Sequence, residues 1–272
     1  MKIAIVGKPN KGSWLVRGPQ LVLALRSLGH QADCYDVRQV PIPKNYDRIV
    51  YVKRGIPKEW PDHVPVYWDM VDFWKQPAEE NFTRDQAIAL AHSYCPPHVQ
   101  KITATRRMGA DVGGTVLYHH FRPGIIAHPP RDKARRPIVL YEGNPRYLGG
   151  YQRVLEKYCD LVLQPAPWRC DAVLAIRDTP FNGYMSRNWK SNVKAANALA
   201  MGRVLITDAE VGATETTPAE CRIHVSKPTD ISWAIQQITI NRVRFDAYEA
   251  AKNAASRFEL THIAKQYLEI LR

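Results

Sequence analysis

Short apolar runs alternate with polar loops along the first part of the chain. Lys2-Ile3-Ala4-Ile5-Val6-Gly7 is brief, apolar and closed by glycine, the pattern of a buried parallel strand. A polar loop, Lys8 to Ser13, follows. Leu21, Leu25 and Leu28 then recur at helical spacing across Gln20 to Leu28, and Gly29 supplies a C-cap. Gln31 to Val37, Asp47 to Val52 and Val64 to Trp68 read as three further strands. Strand, loop, helix and strand at this rhythm predict an α/β fold with a doubly wound sheet.

The rhythm breaks at Pro129-Pro130-Arg131-Asp132-Lys133-Ala134-Arg135-Arg136-Pro137, a polar, proline-rich stretch with the character of a linker, and then restarts. Ile138 to Tyr141 reads as a strand running into Glu142-Gly143-Asn144. Tyr151 to Tyr158 reads as a helix, and Leu161 to Leu163 and Ala172 to Ile176 as strands. Lys190 to Met201 reads as a helix closed by Gly202, Val204 to Thr207 as a strand, and about 230–272 as helical. Two successive α/β halves predict two domains, 1–130 and 137–272 with the C-terminal helices. They would face each other across a cleft, with ligands beyond the C-terminal strand ends.

Composition narrows the classes. Of 272 residues, 45% are hydrophobic and 24% charged, which excludes a mostly disordered chain. No apolar run approaches the roughly 18–20 residues that span a bilayer, and the start lacks a signal peptide's apolar core and cleavage site. Five scattered cysteines without zinc-ligand spacing fit reduced thiols of a cytoplasmic protein (host cytoplasm if viral). The net charge of +12 calls for an anionic partner. Most of the excess falls before residue 137, where 21 Lys and Arg face 12 Asp and Glu. Lys101, Arg106, Arg107 and Arg122 belong to its densest part, residues 98–136, as do four histidines including His119 and His120.

Chemistry concentrates at Ser186 to Asp208. Lys190, Ser191 and Asn192 open a helix of small residues that ends at Gly202 and leads into a buried strand. Free N–H groups and the helix dipole there meet an anion, and Lys190 or Lys194 neutralises its charge, as a diphosphate requires. Arg146 and Arg177 are further candidate diphosphate partners. Gly12 and Ser13, in the first strand-to-helix turn, are candidates for a phosphate or sugar hydroxyl. The spacing Gly7-x4-Gly12 fits neither the dinucleotide fingerprint nor the Walker A pattern. Asp69 and Asp72 end the fourth strand, where a carboxylate can serve as general base; Asp69, nearer the strand end, is preferred. Adjacent histidines in extended chain point to opposite sides, so His119-His120 is a poor metal site.

Lys-Ser-Asn-x-x-Lys-x-x-x-Ala-x-Ala-x-Gly followed by a Val/Ile strand resembles the nucleotide-sugar donor segment of glycosyltransferases with the GT-B fold, two Rossmann-like domains facing across a cleft. Lys2 to Gly7 with Leu25 to His30 resembles that family's acceptor-domain opening, and Ile138 to Gly143 its first donor-domain strand. Many retaining members carry a Glu-x7-Glu pair here; this chain has Trp189 and Asn197 at those places, and Glu215 stands as an alternative ribose partner. The resemblance implies transfer of a sugar from a nucleotide sugar to a hydroxyl acceptor, with no metal or other cofactor required. Two anionic acceptor settings stay open. Hydroxymethylated pyrimidine in DNA, as in phage-type DNA-glucosylating enzymes, is narrowly preferred on charge placement, with Lys101, Arg106, Arg107, His119 and Arg122 as its contacts. A cell-envelope glycan or lipid-linked acceptor at a membrane surface is the other. A non-catalytic sugar- or nucleotide-binding module is the non-enzymatic alternative.

Overall fold

The computed structural model describes residues 1–9, 12–38, 45–53, 56, 64–72, 82–131, 136–163 and 169–272. Asn10 and Lys11 of the first loop, the aromatic residues Trp60, Phe73 and Trp74, and the linker centre at 132–135 lie outside the described residues.

Two parallel sheets carry the chain. The first contains β1 (Lys2–Gly7), β2 (Gln31–Asp36), β3 (Arg48–Val52), β4 (Val66–Val71), β5 (Gln100–Thr103) and β6 (Thr115–Val116), ordered β2-β1-β3-β4-β5-β6. Its helices are α1 (Gly12–Leu15), α2 (Leu21–Ser27), α3 (Arg84–Ser93) and α4 (Arg106–Val112), with a π-helical turn, Val16–Gln20, joining α1 to α2. The second sheet contains β7 (Ile138–Leu140), β8 (Asp160–Val162), β9 (Ala172–Ala175), β10 (Val204–Thr207) and β11 (Arg222–His224), ordered β11-β10-β9-β7-β8. With it come α5 (Gly150–Tyr158), α6 (Tyr184–Asn188), α7 (Val193–Met201), α8 (Val211–Thr216), α9 (Ile231–Thr239), α10 (Asn241–Ala255) and α11 (Leu260–Ile270). Two doubly wound halves are the predicted architecture.

Burial follows the strand period. Along β4, Trp68 and Met70 join the core on one face, and Tyr67 and Val71 join the core on the other. Gly7 ends β1 because Trp14 lies against it: a Cβ there would meet the indole at 2.3 Å. The glycine of the first loop is thus a packing requirement, whereas Gly12 has open space around it.

Three features depart from the sequence reading. The elements α3, β5, α4 and β6 carry no apolar pattern strong enough to announce them; α3 buries only Ala87 and Ala91. The helix expected from Lys190 starts at Val193, so Lys190, Ser191 and Asn192 form the loop that leads into it. The C-terminal helices do not all stay with the second half. Ile263, Ala264, Tyr267 and Leu268 of α11 pack with Ile3, Ile5, Leu21 and Leu25 of the first sheet and α2, and the Arg48 Nε donates to the Leu271 carbonyl at 2.6 Å. Residues 260–270 therefore belong with the first domain rather than the second.

This return strap predicts a local stability effect. Leu268→Ala removes buried apolar volume and should destabilise by about 2–5 kcal/mol. Hydrogen exchange should report it as lost protection in β1 and α2, with the strands of the second sheet unaffected.

Candidate functional site

The C-terminal ends of both sheets open onto one cavity of about 730 Å3. Lys8, Lys53 and Asp72 line it from positions just after β1, β3 and β4. Tyr141 and Glu142 line it after β7, Arg177 after β9, and Lys190, Ser191 and Lys194 from the loop and first turn of α7. Gly12, Ser13, His119 and Arg122 complete the predicted residues that reach it. Among the described residues, six cationic side chains, Lys8, Lys53, Arg122, Arg177, Lys190 and Lys194, line it against two carboxylates, Asp72 and Glu142. That imbalance suits an anion.

Asp72 is the electrostatic centre. Its carboxylate takes an ion pair from Lys53 of the first domain and another from Lys190 of the second, the latter at 2.5 Å. Burial opposes its ionisation, but the two lysines outweigh burial and hold the carboxyl far below the usual range. Burial pulls Lys190 down in turn, against the attraction of Asp72. Backbone strain builds this pair: Val71 and Lys53 both have left-handed φ, 54° and 56°, a costly conformation for a β-branched residue. The turn at Val71 swings Asp72 out of the strand and into the cleft.

Asp69 does not share that exposure, and the preference for it as a base facing the cleft is corrected. It lies on the same face of β4 as Tyr67 and Val71, fully buried, with Arg17 Nε at 3.4 Å and the Val71 N–H donating to it at 3.2 Å. Burial raises its pKa despite Arg17.

His119 is 2% exposed, lines the cavity, and neither ring nitrogen has a partner among the described residues. Asn192 fixes its backbone: the His119 N–H donates to Asn192 Oδ1 at 2.7 Å. Burial first, then the nearby Arg17 and His120, hold its pKa well below the ordinary imidazole value, so the ring is neutral. His120 turns the other way, toward the carbonyls of Phe121 and Val16 at 2.7 and 3.1 Å.

On the second-domain side the cations lie on aromatic faces. Arg177 stacks 4.7 Å from the Tyr147 ring centre, and the Lys194 Nζ lies 4.3 Å from that of Tyr141. Gly212 lets α8 press against the 190–192 loop; a Cβ there would meet the Lys190 carbonyl at 2.2 Å.

Several predicted residues sit elsewhere. Arg146 is exposed and spreads over the rings of Tyr147 and Phe181, outside the cavity lining. Asn192 is buried behind His119. Glu215 is no ribose partner: it reaches into the first domain, accepting from the Arg106 and Arg107 N–H groups at the start of α4 and from the Tyr118 hydroxyl. Arg107 also donates to the Tyr184 hydroxyl and pairs with Asp111. Lys101, Arg106 and Arg107 do not line the cavity.

The missing acidic pair has a spatial explanation. Trp189 is fully buried and donates its indole N–H to Asp111 at 2.8 Å. Asn197 donates to Glu142 at 2.7 Å, and Glu142 also pairs with Arg122 at 2.7 Å. A carboxylate therefore stands beside Asn197 after all, supplied from the end of β7. Sequence reasoning passed over Glu142, Lys53 and Tyr147; only the first offered a signal, in its Glu-Gly-Asn turn.

Protein-family and curated-protein comparisons give no match. Solved structures match over the whole length. HepE of Anabaena, in complex with UDP and glucose, shares 12% identity at a TM-score of 0.63, covering 100% of this chain and 99% of that one. AviGT4, a glycosyltransferase of avilamycin A biosynthesis, gives 13%, 0.59, 100% and 97%. The DNA-modifying β-glucosyltransferase gives 12%, 0.55, 100% and 99%. At such identities the likeness is one of fold: the chain has the GT-B architecture, two Rossmann-like domains around a cleft.

The charge pairing predicts a stability effect with a defined pH window. Because the Asp72 pKa is depressed, its contribution is complete above the unfolded carboxylate value of about 3.9. It is lost only as pH falls through the much lower folded value. Asp72→Asn should cost on the order of 2 kcal/mol at pH 7. Thermal unfolding curves of variant and wild type should converge only in strong acid.

Proposed function

We propose that the protein is a nucleotide-sugar-dependent glycosyltransferase. The observation that carries this reading is the cationic cleft between two Rossmann-like domains, with Lys190, Ser191 and Lys194 at the opening of α7 and Arg177 across from them. In this reading the donor diphosphate lies on the N-terminus of α7, where N–H groups, helix dipole and three cations meet its charge. Those cations, rather than a metal ion, stabilise the diphosphate as it leaves. Glu142 and Asn197 face the donor's hydroxyl groups. HepE crystallised with UDP and with glucose, and a uridine nucleotide is the first donor to test.

The proton acceptor in this proposal is His119. Asp72, held ionised between two lysines, is a weak base, and Asp69 is out of reach. His119 lines the cavity as a neutral imidazole whose ring nitrogens are buried and have no partner among the described residues. The acceptor oxygen forms its bond to the anomeric carbon, the bond to the diphosphate breaks, and the hydroxyl proton passes to His119.

For the acceptor, the first-domain wall favours a hydroxyl on an apolar body, the class to which lipid-linked acceptors belong. Trp14, Leu15, Val16 and Val52 form that wall, and Leu15 is 52% exposed. Of the residues on which the DNA reading leaned, Arg107 donates from its guanidinium to Tyr184 at the contact between domains, and Arg106 is tied there by its backbone N–H to Glu215.

Lys190→Ala should weaken nucleotide-sugar binding by about 1.5–3 kcal/mol in a calorimetric titration. An unchanged dissociation constant would move the diphosphate elsewhere. His119→Gln should lower turnover by roughly 10²–10⁴-fold at little cost in donor affinity. The acid limb of the wild-type pH–rate profile should fall below about 6.5, since the imidazole stays neutral beyond its usual range. Donor binding without transfer to any acceptor would make the protein a binding module. Steeply salt-dependent binding of hydroxymethylated duplex DNA, with transfer to it, would return the acceptor to DNA.

A further inference from the structure

A second cavity, of about 330 Å3, lies at the other end of the second sheet, where the chain enters β9 and β10 and the interdomain segment crosses. Among the described residues, four arginines line it, Arg131, Arg169, Arg203 and Arg244, together with His128 and one carboxylate, Asp171. Arg203 and Arg244 are only 8% and 7% exposed. Backbone holds Arg203: its Nε donates to the Cys170 carbonyl at 2.6 Å, and its Nη1 to the carbonyls of His128 and Gly202 at 2.6 and 3.1 Å. Arg244 donates to Asn241, lies 3.8 Å from Asp171 through Nη1, and has a buried Nε with no partner among the described residues. Asp171 already accepts the Ile138 N–H at 2.8 Å. Arg131 and Arg169 are exposed at the rim.

Arginines gathered around one space repel one another, and the burial of Arg203 and Arg244 adds the cost of lost hydration. Arginine does not relieve this by losing its proton. Among the described residues Asp171 is the one carboxylate on the lining, and one negative charge does not balance four positive ones. What offsets such a cluster is an oxyanion whose geometry matches the guanidinium fork, and phosphate does so bidentately. The space exceeds that of a bare ion and falls at the small end of ligand pockets, roughly 300–1,000 Å3. Pro129, Pro130 and Val204 give it apolar walls. We propose that this cavity binds a phosphorylated small molecule, its phosphate held by the four arginines and its body against the proline segment. The site lies apart from the cleft and does not depend on glycosyl transfer.

Inorganic pyrophosphate is the test ligand, titrated calorimetrically at fixed ionic strength into protein presaturated with UDP to fill the cleft. Wild type should bind it, and Arg131→Ala/Arg169→Ala should weaken that binding at least tenfold with an unchanged circular dichroism spectrum. Arg131→Lys/Arg169→Lys, which keeps charge but loses the fork, should fall between. Both positions are exposed, so folding is not at stake, and comparing variants isolates this cavity even if UDP leaves the cleft open. No pyrophosphate binding by wild type, or equal binding by the alanine variant, would overturn the proposal. So would a duplex DNA fragment that binds through Arg131 and Arg169 while pyrophosphate does not, since the site would then be a nucleic-acid contact.

Discussion

A carboxylate from one domain held between lysines of both is the interaction on which the cleft depends. Asp72 faces Lys53 across the ends of β3 and β4 and Lys190 across the domain boundary. One negative charge fixes two positive ones close together, and the cavity around them keeps a cationic excess that Asp72 and Glu142 do not cancel. The strained turns at Lys53 and Val71 are what bring the pair to the rim. Without them the strand alternation that buries Asp69 would leave no carboxylate at this place.

Two other carboxylates stitch the same boundary. Asp111 accepts the Tyr184 hydroxyl at 2.6 Å and the Trp189 indole at 2.8 Å, both from the second domain, and pairs with Arg84 of the first. Glu215 reaches the other way, to the start of α4. The Thr105 hydroxyl adds a bond to the Asn188 carbonyl at 2.8 Å. All three carboxylates touch residues within or packed against 184–192, the stretch that feeds α7. The loop proposed to carry the diphosphate is therefore positioned by the first domain as well as its own, a form of preorganisation that electrostatic stabilisation of a leaving group requires.

What the sequence disclosed was local. Apolar runs gave most strands of both sheets, and the 190–207 segment was readable because its lysines, hydroxyl and small residues lie within a few turns of chain. The rest needed distance in space. Whether Asp69 or Asp72 faces the cleft turns on one left-handed residue between them. The duty of Glu215 depends on where α4 begins, more than a hundred residues earlier in the chain. Glu142 stands beside Asn197 only because β7 and α7 meet, so a motif read along the chain does not show the carboxylate that the fold sets there. The crossing of α11 to the first sheet has no marker, since its apolar face would pack equally well on either half.

The central claim is that the cleft is a diphosphate site whose cations are held in waiting by Asp72. A crystal structure grown with saturating UDP tests it most directly. The account predicts the diphosphate at the opening of α7, within hydrogen-bond distance of Ser191 and Lys190, with Lys190 shared between phosphate and Asp72 and Arg177 against the second phosphate. An empty cleft, or a nucleotide bound elsewhere with the Lys190–Asp72 pair untouched, would contradict it.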